Sequence, residues 1–342
     1  MPEGWPDLSF DDEGVCSWCS THRPTEPLGE EALLNLLRTG RGRRYDCVVG
    51  VSGGKDSCYV ASHAVRRLGL RVVAVAYDHP FVSDLARKNA TTVCERLGIE
   101  LEWTATRSGV ETALVRDQLP SLAATGITLG LCDFCRHGIT ATVHRAAAAR
   151  DVPFILMGTT AYERWGLRRP LRRLLERVRA VPAGDVVRFA CTQLKTSFRM
   201  MKIRRELPLP GGARLLPWRR THTPRDGPQE IAFYDYVQWD HDLIERTLEA
   251  ETGWEKPAQP LSWRYDCALE PVLDLTLLNR FGISRAGLYL ASLVRDRRLA
   301  RDRALDLLAA CEDRDTLARR ARAVVNLLAL PETVFEALAY PR

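Results

Sequence analysis

The sequence predicts an α/β fold: a parallel sheet covered by helices, interrupted by a basic insertion and completed by a helical C-terminal region. Three observations lead there. Apolar runs of strand length alternate with helical patterns from Tyr45 to about Gly158, the mark of successive βαβ units. The first run breaks into a glycine turn that opens a helix, Ser52-Gly53-Gly54-Lys55-Asp56-Ser57. After Thr160 the alternation stops, a strongly basic stretch intervenes, and helical periodicity returns from Glu230 onward.

Taken in order, the first strand is the run Asp46-Cys47-Val48-Val49-Gly50-Val51, and a helix over residues 58–68 follows the turn. Residues 71–78 form the second strand and 82–97 the next helix. A short strand near 100–103 precedes a helix over about 110–122. Residues 131–138 lead into an alanine-rich helix ending at Arg150, and 152–157 is the fourth strand, closing at Gly158-Thr159-Thr160. Residues 164–179 read as a basic helical stretch. Residues 208–228, rich in Pro and Gly, read as loop. Helices follow over 240–252, 271–281, 284–295 and 299–328. The implied organisation is an N-terminal Cys-x-x-Cys segment (1–40), a nucleotide-binding domain (41–163), a basic insertion (164–229) and a helical region (230–342).

At 342 residues, 46% of them apolar, the chain has material for two domains and a sizeable core. It contains no run of 18 apolar residues, so no membrane insertion is expected. The opening Met1-Pro2-Glu3-Gly4-Trp5-Pro6-Asp7 is acidic and proline-broken, unlike a signal peptide, and a cytoplasmic protein is expected. Ten cysteines then point to metal or reactive sulfur more than to disulfides. The net charge of +6 hides an asymmetry: residues 164–225 hold 17 Lys and Arg against 3 Asp and Glu. Such a block suits polyanions or anionic ligands, or else is a solvated insertion.

The turn after the first strand is a phosphate cradle. Its glycines let backbone N–H groups approach an anion, and the helix dipole adds partial positive charge. Lys55 supplies a full charge, and Ser52 and Ser57 supply hydroxyls. It is not a Walker A loop, which needs Ser or Thr after the lysine where this chain has Asp56. In open α/β sheets ligands sit beyond the carboxyl ends of the strands. Asp78, Gly158 and Thr159 fall there with the turn and join it as candidate nucleotide-binding residues.

Two Cys-x-x-Cys pairs stand out, Cys16/Cys19 and Cys132/Cys135. Together they could supply the four thiolates of a zinc site if the fold brings them together, with His22 as a substitute ligand. Alternatively, Cys132, Cys135 and a distant third thiolate, Cys267 or Cys191, could hold an iron–sulfur cluster. Cys47, Cys58, Cys94 and Cys311 are expected in packed positions.

Ser-Gly-Gly-Lys-Asp-Ser resembles the PP-loop of the ATP pyrophosphatases, the adenine-nucleotide α-hydrolase-like superfamily with its HUP-type domain. The resemblance implies ATP cleaved between its α and β phosphates, Lys55 and Asp56 as catalytic residues, and Mg²⁺ held near Asp56. Within that superfamily the chain resembles the N-acetyl sugar amidotransferases of bacterial polysaccharide synthesis. The matching stretches are residues 6–19 (through Gly14-Val15-Cys16-Ser17-Trp18-Cys19), the strand and loop of 45–57, residues 232–240 with Glu251-Thr252-Gly253-Trp254, and Tyr265-Asp266-Cys267 followed by 279–284. An additional cysteine pair that precedes the opening segment in that family has no counterpart here. A second group, the sulfur-inserting enzymes that thiolate tRNA, shares the loop and a Cys-x-x-Cys with a later third cysteine. The first resemblance implies a small anionic acceptor such as a nucleotide sugar, adenylated on a carbonyl or amide oxygen and then attacked by ammonia. No glutaminase domain is visible, so a separate glutaminase subunit is implied. The second implies tRNA, or a small molecule, and a cluster-bound sulfur. A small acceptor is expected to sit in a pocket that turns at least one of Arg164, Arg168 and Arg169 toward the strand ends, whereas a polynucleotide acceptor would make a broad, continuous basic groove.

Overall fold

The computed structural model describes residues 8–24, 26–40, 43–127, 130–160, 162, 182–210, 227–257, 264 and 266–340. Five strands, β1 (Cys47–Gly50), β2 (Val72–Tyr77), β3 (Leu101–Thr104), β4 (Phe154–Met157) and β5 (Gln229–Ala232), form one all-parallel sheet in the order β3-β2-β1-β4-β5. The helices preceding the basic block are α1 (Ser17–Ser20), α2 (Glu30–Arg38), α3 (Lys55–Arg66), α4 (Asp84–Leu97), α5 (Val110–Thr125) and α6 (Asp133–Ala149). Then come α7 (Ala183–Glu206), α8 (His241–Thr252), α9 (Glu270–Phe281), α10 (Arg285–Arg295), α11 (Arg301–Cys311), α12 (Arg314–Leu327) and α13 (Glu332–Ala339).

The sheet is covered on both faces, which is why its central strands read as unbroken Val and Ala runs. Successive residues of a strand point to opposite faces. Cys47, Val49 and Val51 join the core shared with α2, α3 and α4, whereas Val48 joins Val73, Val75 and Ile155 beneath Val143 and Ala147 of α6. Each fully buried valine contributes about 1.5–3 kcal/mol, so the sheet is a stiff platform for the loop that leaves it. A further core, around Leu114, Phe134, Ile203, Leu275 and Phe335, binds α5 and α7 to the C-terminal helices.

The α/β class and the parallel sheet agree with the sequence reading. Three elements differ. Gln229–Ala232 lies where only helices are expected, yet it pairs with β4 as an edge strand. Four residues with only Ile231 deeply buried give no periodicity to read. The single helix expected over 299–328 is two, because Asp313 is non-helical (φ −60°, ψ 103°) and caps α12 by accepting from the Thr316 N–H at 3.0 Å. The third difference is α7, a 24-residue helix inside the basic block. Thr192, Thr196, Met200 and Ile203 form its buried stripe, and Arg199 pairs with Asp117 of α5 at 2.6 Å. This part of the block is a docked helix. The predicted helix 164–179, with Arg164, Arg168 and Arg169, and most of the predicted loop 208–228 lie outside the described residues. No described helix is long and apolar enough to cross a membrane.

Candidate nucleotide site

The strand order reverses between β1 and β4, and a crevice opens beyond the carboxyl ends of two such strands. The loop 52–57 leaves β1 there, and Gly158–Thr160 leave β4 beside it. The loop is braced by its own hydroxyls. The Ser52 N–H donates to Ser57 Oγ at 3.0 Å, Ser57 Oγ donates to the Gly54 carbonyl at 3.1 Å, and the two hydroxyls lie 3.1 Å apart. Gly53 has φ +84°, and a Cβ placed on it would lie 1.9 Å from the Ala86 carbonyl oxygen of α4. Only glycine fits. A Cβ on Gly158 would stand 3.0 Å from the Ser57 backbone, so this glycine lets the end of β4 close onto the loop. Thr159 is exposed, while the buried Thr160 hydroxyl has no hydrogen-bond partner among the described residues.

The loop hands over to α3 at Lys55, where no side chain caps the helix N-terminus. First-turn N–H groups with no partner on their own helix suit a phosphate. Lys55 is buried, 3% exposed, with Nζ 3.2 Å from Asp56 Oδ2 and 5.8 Å from the centre of the Trp239 ring. Its charge reaches α8: burial first, and then Lys55, push His241 down to about 3, so that imidazole stays neutral near pH 7. Asp78, expected near the nucleoside, is paired through Oδ1 with Arg87 at 2.9 Å. Next to it, burial pushes His79 down to about 4, and its Nδ1 accepts from the Phe81 N–H at 3.2 Å.

Three aromatic residues that sequence reasoning did not assign hold the loop from outside. The Trp254 indole donates to the Gly53 carbonyl at 3.0 Å, and the Trp239 indole to Asp56 Oδ1 at 2.8 Å. The Tyr234 hydroxyl donates to the Asp56 carbonyl at 3.1 Å. The available signal was their place in the very segments, 232–240 and 251–254, that resemble the sugar amidotransferases.

The uncapped helix start, the glycine that admits no Cβ and the unpaired Thr160 hydroxyl all fit a bound nucleotide triphosphate. Among the described residues no three His, Cys, Asp or Glu side chains are grouped so as to hold a metal ion. Magnesium needs no such group, since one or two carboxylates plus substrate phosphates and water suffice.

The cysteines divide. Cys16 precedes α1 and Cys19 lies within it, with their sulfurs 3.3 Å apart, and the Arg295 guanidinium bears on both. Burial opposes ionisation of Cys16, but hydrogen bonds to Cys19 and its backbone outweigh it and lower its pKa. The neighbouring His22 reaches the Asp296 carboxylate. Cys132 caps α6 and Cys135 lies in its first turn, in a neighbourhood with Cys267 rather than with the N-terminal pair. Burial, then the charges of Cys135 and Cys132, raise the Cys267 thiol well above its usual range, and burial with Cys132 pushes Cys135 up to about 12. Arg264 and Arg285 oppose this at Cys132. Thus Cys16, Cys19, Cys132 and Cys135 do not assemble into one zinc site, and Cys132, Cys135 and Cys267, though their charges bear on one another, are not grouped to hold a metal ion either. Cys191 is exposed on α7, and Cys47, Cys58, Cys94 and Cys311 are buried, as expected of packed residues.

Residues 39–119 match the NAD synthase family model. The match runs from the end of α2 through β1, the loop, β2 and β3 into α5, and contains all of Ser52–Ser57. No curated protein matches the chain. Among solved structures it is similar to the ammonia-dependent NAD synthetase of Campylobacter jejuni, at 18% identity and a TM-score of 0.30 over 39% of this chain. The chain spans 56% of that protein's length. It is similar to the NMN synthetase of Francisella tularensis, at 12% identity and a TM-score of 0.39, over 85% of this chain and 93% of that one. The third is the U34-tRNA thiolase of Methanococcus maripaludis with its [4Fe-4S] cluster: 14% identity, a TM-score of 0.38, 88% of this chain and 80% of that one. At these identities and TM-scores none of the three speaks to this chain's substrate.

Proposed function

We propose that this chain is a PP-loop ATP pyrophosphatase of the amidotransferase kind. It adenylates a carbonyl or amide oxygen of a small anionic acceptor, a nucleotide sugar or glycan precursor, and ammonia from a separate glutaminase then displaces AMP. The observation that carries this reading is the loop itself, a PP-loop opening an uncapped helix at the sheet's switch point within a segment matching NAD synthase. The acceptor oxygen attacks the α-phosphorus, the α–β bond breaks, and pyrophosphate leaves toward the loop. Lys55 and the N–H groups at the start of α3 stabilise the charge that gathers on the leaving group. Magnesium, when bound, neutralises part of that charge. The tethers from Tyr234, Trp239 and Trp254 keep the loop in place throughout, which is catalysis by positioning. The nucleotide-sugar acceptor rests on the resemblance of residues 6–19, 232–240 and 251–254 to the sugar amidotransferases.

With α- and γ-labelled ATP, ammonium and a UDP-N-acetyl sugar, chromatography is expected to show labelled AMP and pyrophosphate. Clean ADP and phosphate would overturn the PP-loop reading.

A second reading is favoured by one observation, the shared neighbourhood of Cys132, Cys135 and Cys267 beside Arg264 and Arg285. An iron–sulfur cluster, and hence sulfur transfer to tRNA or a small molecule, would need these three sulfurs drawn together as thiolates, since burial keeps Cys135 and Cys267 protonated and they are not grouped to hold a metal here. Metal analysis after anaerobic purification separates the two. A colourless, iron-free protein is expected for amide transfer, and a brown protein with stoichiometric iron and sulfide moves the assignment to thiolation.

A further inference from the structure

The segment after the described Arg264 returns to the loop from the far end of the chain. Residues 266–268 run antiparallel to the stretch that leaves β2: Cys267 bridges Val82, the Ser83 N–H donates to the Asp266 carbonyl at 3.2 Å, and the Ala268 N–H donates to the Phe81 carbonyl at 2.8 Å. This backbone fixes Asp266 above the loop. A Cβ built on Gly54 would lie 3.3 Å from Asp266 Oδ2 and 3.4 Å from Ser52 Oγ, so the carboxylate rests on the glycine at the start of α3. Its charge also raises the Cys58 thiol one turn into α3, after burial and Cys94. Asp266 is half-buried, and among the described residues its carboxylate has no hydrogen bond or ion pair.

The contrast with Asp56 is the second half of the argument. Both oxygens of the loop's own carboxylate are engaged, Oδ1 by the Trp239 indole and Oδ2 by Lys55. A bare carboxylate aimed at a phosphate cradle would repel a triphosphate unless a cation lay between them. Hard divalent cations on nucleotides are held by one or two carboxylates together with phosphate oxygens. On the reading of the loop as an ATP site, we infer that Asp266 is the carboxylate that receives the divalent cation accompanying the pyrophosphate, with Asp56 serving mainly to fix Lys55 and the loop. The next residue of the same segment, Cys267, packs against the same core as Cys135.

The test is Asp266→Asn, which keeps the shape and removes the charge. Manganese binding is followed by electron paramagnetic resonance with a non-hydrolysable ATP analogue, and analogue binding is measured again in EDTA. Manganese affinity in the ternary complex is expected to fall about tenfold or more. Analogue affinity in EDTA is expected to hold or rise, because a repelling charge is gone; a purely structural loss would lower both. Asp266→Glu, with the carboxylate restored one methylene further out, is expected to recover part of the manganese affinity. Unchanged manganese affinity in Asp266→Asn overturns the inference while leaving the ATP reading intact. Failure of the unaltered protein to bind the analogue overturns the ATP reading instead. Should Asp266→Asn not fold, as judged by thermal unfolding, Asp266→Ser is measured in the same way.

Discussion

Lys55→Ala is expected to lower AMP formation by about 10²-fold or more, the scale on which removing a single preorganised charge stabiliser acts. Lys55 stands at the helix start where the leaving pyrophosphate would gather charge, and it is too deeply buried, at 3% exposure, for water to replace it cheaply. The loss should fall on kcat more than on KM, since an interaction that strengthens in the transition state shows itself in turnover. Lys55→Arg should not rescue, because the planar guanidinium is larger and the site beneath Trp239 is closed by the ring. Steady-state kinetics on both variants, with thermal unfolding as a check on folding, decides the matter. Turnover within threefold of the unaltered protein would remove Lys55 from the chemistry.

Gly53→Ala is expected to abolish nucleotide binding and to destabilise the fold. The backbone conformation at φ +84° costs a residue with a Cβ about 1–3 kcal/mol. The added carbon would also meet the carbonyl oxygen of Ala86 at 1.9 Å. That oxygen belongs to the first turn of α4, whose Ala86 and Ala90 are buried, so the clash cannot be relieved by turning a side chain. The loop must move instead, which breaks the Trp254 bond to the Gly53 carbonyl. Calorimetric titration with ATP and a melting curve test this together. Wild-type ATP affinity in Gly53→Ala would show that the loop adopts another conformation when it binds. Gly54 differs: its φ is −70°, and alanine there needs only the Asp266 side chain, 3.3 Å from the new Cβ, to give by a few tenths of an ångström.

Legibility from sequence followed the range of the interactions. The helices read from periodicity agree with the structure to within a few residues at 84–97, 110–125, 241–252 and 270–281. Each has an apolar stripe or a capping residue within its own span, as with Ser83 before α4 and Asp240 before α8. Reading failed where the deciding contact was distant. β5 is a strand because β4 offers it an edge, and α7 exists as a docked helix because α5 presents Asp117 to Arg199. The cysteines show the same limit. Identical Cys-x-x-Cys spacing occurs twice, but one pair sits beside Arg295 and the other beside Cys267, and spacing cannot tell these neighbourhoods apart.

The sequence by itself determined the α/β class, the parallel strands and the glycine loop that opens α3 with Lys55 and Asp56, because each depends on consecutive residues. A turn of six residues is built by its own glycines and hydroxyls, and a strand buried on both faces must be an apolar run. Only the tertiary structure decided what surrounds that loop. Trp239 and Trp254 reach it from 183 and 201 residues away, and Asp266 is laid on Gly54 by backbone pairing with the exit of β2. Such contacts depend on the path of the whole chain between them. No local pattern encodes that path, since hydrophobic burial favours many compact arrangements and only the packed core selects among them.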